Sequence, residues 1–193
     1  MPSSAFGLPV RSVNRYAAPP AMTLLATLTA SQSASLVYTG FDSSLYKIYF
    51  LLFRGLVPND GSNTLSMYGS TNGGASYGTL WYNNFTRNDG AGTLSGGGGA
   101  TPAAPTQNLV ITDGVTTNTY PVSAHGTGYL SFGLLGTDDT AWSSNLQGYG
   151  NDRPSLRDIK AFYRSLAPVN TLKWFFDTGT IKRGSILIFG VGE

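Results

Sequence analysis

Lys47-Ile48-Tyr49-Phe50-Leu51-Leu52-Phe53 is the run on which the fold turns, because every residue after the lysine is apolar. Successive side chains of a strand point to opposite faces, so an unbroken apolar run has no water-facing side. The reading is a central strand with something covering each face.

Outward from this strand the same grain repeats in short β-rich runs. Toward the N-terminus stand Thr23 to Leu28 and Ser35 to Tyr38, and toward the C-terminus Thr64 to Tyr68 and Thr79 to Phe85. A second set follows at Asn108 to Thr112, Tyr120 to Ser123, Tyr129 to Leu135, Leu172 to Phe176 and Ser185 to Phe189. Between them lie Pro58-Asn59-Asp60-Gly61, Asn72-Gly73-Gly74, Asn88-Asp89-Gly90, Asp113-Gly114 and Thr178-Gly179. These supply the positive φ or the local Asx hydrogen bonds that chain reversals need. Many short strands at near-regular spacing predict an all-β fold, an antiparallel β-sandwich of jelly-roll type over residues 23–193.

Two segments depart from that grain. Leu156, Ile159, Phe162 and Leu166 recur at three-to-four residue spacing behind Ser155, with Asp158 three residues on, which reads as a short capped helix. A strand with Ile159, Ala161 and Tyr163 on one face reads equally well. Leu94 to Pro105, LSGGGGATPAAP, reads as a surface loop, either a flexible contact segment or a plain spacer, since four consecutive glycines are costly to order.

Residues 1–22 read as an extended N-terminal arm, beginning MPSSAFGLPVRSVNRYAAPP with four prolines and no two-fold or helical period. It is too apolar for an ordinary solvated tail. It is expected either to dock on a neighbouring protein or to pack along its own domain. In the docking reading Phe6 and Tyr16 desolvate as anchors, while Arg11 and Arg15 fork onto acidic groups or carbonyls.

Composition narrows the function. Among 193 residues 41% are hydrophobic and 12% aromatic, enough for a core, but only 11% are charged, against roughly 25% in ordinary soluble domains. A surface so poor in charge suits coverage by neighbours or contact with neutral ligands such as sugars. Net charge is +2, with no Lys/Arg run to neutralise phosphates, so direct nucleic-acid binding is not expected. No stretch approaches the ~18 apolar residues of a membrane helix, so no membrane insertion is expected. The absence of Cys removes thiolate metal sites and cysteine nucleophiles.

Motifs for catalysis are weak. Gly96 to Gly99 are followed by Ala100-Thr101-Pro102 instead of the Gly-Lys-Ser/Thr of a phosphate loop. His125 is the only histidine, in an apparent polar turn before Gly126, and reads as a solvated loop residue. The acids are nine Asp and Glu193, and adjacent Asp138 and Asp139 read as turn caps more readily than as the opposed pair of a glycosidase. No cofactor and no metal is expected. Trp142, in the polar stretch from Gly136 to Asn151, is the candidate ring for stacking on a sugar, with Asp138 and Asp139 to meet hydroxyls, while Trp81 is expected in the core. Arg153, Arg157, Lys160 and Arg164 would share one face if their segment were helical.

The stretch from Leu36 to Tyr77, with TGFDSSLYKIYFLLFRGLVPNDGSNTLSMYGSTNGGASY, resembles β-sandwich proteins of tailed-bacteriophage virions and prophages. In those a Gly, a Ser/Asp turn and a Tyr lead into a central strand, and a Ser-Thr-(Asn/Asp)-Gly-Gly turn precedes a Tyr. Asn170 to Gly192, NTLKWFFDTGTIKRGSILIFGVG, is similar to their closing pattern of strand, Gly-Thr-Ile turn and final strand. The resemblance implies a non-enzymatic virion structural protein, a head decoration or spike or a tail component, with other virion proteins as partners. It implies a homo-oligomer, trimer or ring, located in the virion after synthesis in the bacterial cytoplasm. The alternative expectation is a module binding host-surface polysaccharide, and a lesser one is a polysaccharide depolymerase.

Overall fold

The computed structural model describes residues 21–78, 81–88, 94–98, 109–116, 123–133, 140–150, 153–163, 165 and 167–192. The proposed arm residues Phe6, Arg11, Arg15 and Tyr16, and also Asp138 and Asp139, lie outside them. The described chain forms twelve strands and no helix: β1 (Met22–Ser33), β2 (Leu36–Tyr38), β3 (Ile48–Pro58), β4 (Ser62–Ser70), β5 (Trp81–Asn88), β6 (Leu94–Gly98), β7 (Leu109–Thr116), β8 (Ala124–Phe132), β9 (Thr140–Gly150), β10 (Arg153–Tyr163), β11 (Thr171–Phe176) and β12 (Ile181–Val191). Eight make one sheet, in the order β1-β12-β3-β8-β9-β10-β5-β6, and four make the other, β2-β11-β4-β7. All the pairings are antiparallel.

Four pairings are nested: β1 with β12, β2 with β11, β3 with β8 and β4 with β7. The chain therefore runs as one long hairpin rolled up so that its legs alternate between the sheets. β5 and β6 leave it between β4 and β7, and β9 and β10 leave it between β8 and β11, all four extending the larger sheet.

The core lies between the sheets. On β3 the inward residues Tyr49, Leu51 and Phe53 are fully buried, and they meet Leu172, Trp174 and Phe176 of β11, Leu65 and Met67 of β4, and Ile186 and Ile188 of β12 in one cluster. Phe53 sits edge-on to both Trp142 and Trp174, at 6.4 and 6.2 Å between ring centroids, so it joins the two sheets. β3 is central as expected and is covered on its inner side by the four-stranded sheet.

The choice left open between helix and strand is decided for the strand, and two expectations are corrected. Residues 153–163 form a strand, with Ser155, Arg157, Ile159, Ala161 and Tyr163 buried and Leu156, Asp158, Lys160 and Phe162 exposed. The helical spacing of Leu156, Ile159 and Phe162 lost to pairing with β9 and β5, which satisfies the backbone on both sides from Leu156 to Tyr163. The glycine-rich segment is not wholly a loop, because Leu94–Gly98 adds to β5 as an edge strand. Asp113-Gly114 is no reversal: β7 runs through it, absorbing an extra residue between the pairs Asn63–Val115 and Leu65–Thr112, which is a bulge. The turns at Gly61, Gly73, Gly74 and Gly179 do adopt positive φ.

Candidate interaction surfaces

Three connections meet at one end of the sandwich. Between β2 and β3 the chain folds inward at Phe41, a buried ring set edge-on against Tyr38 and Tyr49 at 4.8 and 4.9 Å. The next residue, Asp42, organises a tight turn. Its Oδ1 accepts the Ser44 amide (2.8 Å) and hydroxyl (2.6 Å), and its carbonyl accepts the amides of Leu45 and Tyr46. Hydrogen bonds from Ser44 hold the exposed carboxyl below its usual range. The buried Tyr49 hydroxyl accepts the Asp42 amide (2.7 Å) and donates to the Asp42 carbonyl (2.9 Å), locking the turn to β3.

Asn170 ties in the other two connections. Its amide donates to the Ser70 carbonyl, its Nδ2 to the Thr71 carbonyl, and its Oδ1 accepts the Gly73 amide, while its own carbonyl accepts the Phe41 amide. The result is a shallow cleft of about 630 Å³ lined by residues that include Thr39, Asp42, Ser43, Leu45, Thr71 and Pro168. Among the described residues that line it, Asp42 is the one carboxylate, and Ser44 already engages it. Its lining is otherwise of hydroxyls and aliphatic side chains on a hydrogen-bonded frame.

The outer face of the four-stranded sheet carries a second cluster. Tyr68 stacks on Phe175 at 4.5 Å and 30° between planes, and Tyr77 leans on Tyr68 at 5.7 Å. The Lys173 ammonium lies 5.5 Å from the Tyr77 ring centroid.

Of the site residues singled out from sequence, Trp142 is the one that lies among the described residues. Trp142 is 1% exposed, on an inward position of β9, with its indole N–H donating to Ser144 at 3.0 Å. It is a core residue, and it has no free face for a sugar. Within the polar stretch around it, Thr140–Gly150 is strand β9, whose outward residues Ser143, Asn145 and Gln147 supply the polarity. Its assigned companions Asp138 and Asp139 fall outside the described residues, and Trp81 lies in β5, its side chain outside the described set. Arg157 and Lys160 lie on opposite faces of β10: Arg157 is buried with its guanidinium 4.2 Å from the Phe85 centroid, whereas Lys160 points outward. His125 is exposed, as expected, but stands on β8, where its Nδ1 accepts the Gly55 amide and its Nε2 meets the Ser123 hydroxyl.

Phe41 and Asn170 were missed as organisers. The signal was present in Gly40-Phe41-Asp42-Ser43-Ser44, where an aromatic next to an Asx-turn marks a loop that is pinned to a core. Among the described residues no group of three His, Asp or Glu is placed to hold a metal ion, and no helix is long and apolar enough to cross a membrane. In comparison with known proteins, no family model, no curated protein and no solved structure matches the chain.

Proposed function

We propose that this chain is a non-enzymatic structural protein of a tailed-phage virion or phage-like particle, fixed to a neighbouring virion protein by its N-terminal arm. The observation that carries the reading is how the two resembling segments meet. They stand more than ninety residues apart in sequence. Leu36 to Tyr77 supplies β2, β3 and β4, and Asn170 to Gly192 supplies β11 and β12. β11 pairs with both β2 and β4, and β12 pairs with β3, so the segments build one contiguous unit of both sheets. Two distant stretches that co-assemble are what a likeness of fold would produce, and this supports the reading.

The nested strand pairs support a jelly roll, an architecture common in proteins that tile surfaces. The sparse charge suits a protein largely covered by neighbours. In the test, tagged full-length chain and chains carrying Phe6→Ala with Tyr16→Ala, or Arg11→Ala with Arg15→Ala, are expressed during particle assembly. Wild type is expected in purified particles, and each arm variant is expected to be lost from them while its circular dichroism stays unchanged. Absence of the wild type from particles, or full incorporation of both variants, defeats the reading.

A second reading, binding of a host-surface polysaccharide, is favoured by the cleft beside Asp42 and Leu45. Saturable binding on a glycan array that disappears with Leu45→Arg would support it. No saturable binding would remove it.

A further inference from the structure

The outer face of β3 is as apolar as its inner face, yet no described element covers it. Leu24, Phe189, Phe50 and Tyr129 lie side by side across β1, β12, β3 and β8, with ring centroids 5.8 and 5.2 Å apart along the three aromatics. Met22, Val191 and Ile48 form the adjacent row, and Leu187 with Leu52 a third. Met22 is 51% exposed, Leu24 53%, Tyr129 46% and Ile48 37%. Within these rows, from β1 to β8, no side chain is charged. Charges begin at the margins, with Arg54 opposite Ser185 and with Lys160 beyond Ser143.

We infer that this face binds the same face of a second copy of the chain, giving an isologous two-fold pair of stacked sheets. Chemistry selects the partner. A charge-free surface needs a charge-free counterpart, and the outer face of the small sheet, with Lys173 at its centre, is not one. Size agrees: four strands about 4.8 Å apart, by three rows two residues apart, cover on the order of 400 Å². Single exposed apolar residues need no explanation, but a patch of a few hundred Å² marks a binding surface. Two such faces with their rims reach roughly the 1,000 Å² that a specific interface requires. Sheets stack face to face with aligned strands about 10 Å apart, so flat aromatic rows can interdigitate about a two-fold axis. The inference goes beyond the particle reading and holds or fails independently of it.

The test is the mass of the full-length chain in solution by light scattering and sedimentation across a micromolar range. A dimer is expected. Leu24→Glu with Tyr129→Glu places four like charges in the contact, and should weaken association by roughly 100-fold or more. Lys160→Glu, on the far half of the same sheet, should leave it intact. Because the chain has no cysteine, Phe50→Cys adds a single thiol at the patch centre, and a short bismaleimide should join two copies; this arm decides the matter if the double variant does not fold. A monomer at every concentration overturns the inference, and so does the absence of cross-linking. A dimer that survives the double substitution also overturns it, including one lost on removing residues 1–20, which would assign the contact to the arm.

Discussion

The larger sheet has two halves with different inward chemistry. In β1-β12-β3-β8, the inward positions are Ala, Leu, Ile, Phe and Tyr, interrupted by glycines, and they face the smaller sheet across an apolar core. In β9-β10-β5-β6, the buried positions also admit Ser144, Ser155 and Arg157. There β7, an edge strand of the smaller sheet, lies over β9 and β10. Phe85, one strand further on, is only partly buried and is capped by the Arg157 guanidinium. Where a second sheet supplies the cover, burial of hydrocarbon suffices. Toward the end of that cover, a long cationic side chain lays its stem and its charge over an aromatic ring to do the same work.

The largest test of this contrast is Phe53→Ala. Its ring touches the indoles of both Trp142 and Trp174, one in each sheet, so the cavity would open at the junction of the halves. A loss of about 3–5 kcal/mol is expected in urea unfolding. A loss below about 1 kcal/mol would mean that the sheets are not held together there.

The same contrast governs what could be read from the sequence. The first half was legible because β3 and β12 are dense in β-branched and aromatic residues, a signal that composition alone carries. Of the extension, β5 was legible in the run Thr79 to Phe85, while β9 and β6 were not and β10 was left open. β9 alternates Trp142, Ser144 and Leu146 inward with Ser143, Asn145 and Gln147 outward, so its period of two is hidden by serines on both faces. β10 carries apolar residues on both faces, with Leu156 and Phe162 outward and Ile159 inward, and their spacing imitates a helix. The alternation of Ile159, Ala161 and Tyr163 allowed a strand equally, and long-range pairing with β9 and β5 decides between the two. In the loop-end cleft the turns were legible from Asp and Gly, whereas the bridging by Asn170 depends on partners about a hundred residues away.

The seam between the halves is the β8–β9 pairing, and Gly126→Ala should split it. Gly126 has φ +146°, and a Cβ there would stand 2.1 Å from the Asn145 carbonyl oxygen. A cost of about 2 kcal/mol or more is expected, with faster amide exchange in β9 and β10 than in β3 and β12. Uniform acceleration across the sheet would show that the halves unfold as one.

Tyr49→Phe probes the first half more gently. It deletes the two hydrogen bonds to Asp42 and should cost about 1 kcal/mol. Burial raises the Tyr49 phenol above its ordinary 10.0, and burial does the same to Tyr163. For a group whose folded-state value is raised, the stabilisation is complete below the unfolded value and is lost as pH climbs through the folded one. Stability should therefore fall from about pH 10 upward, and the fall should be shallower in Tyr49→Phe. Equal slopes in thermal melts would remove Tyr49 from the account.

In the extension, Phe85→Leu keeps an apolar side chain and removes the ring beneath Arg157. About 1 kcal/mol should be lost, the size of a partly desolvated cation–π contact. No loss would mean that the guanidinium stem alone does the covering.

Lys160→Gln should do least, and its smallness is informative. Lys160 is on the same strand as Arg157 but faces outward, at an exposed position paired with Ser143 and Asn84. A surface substitution without a burial or a network behind it changes stability by no more than about 0.5 kcal/mol. Measured beside Phe85→Leu, it separates the two faces of one strand. If Lys160→Gln matched or exceeded the inner substitution, the outer face of the extension would itself be an energetic contact, and the division drawn between a covered half and a capped half would have to be moved.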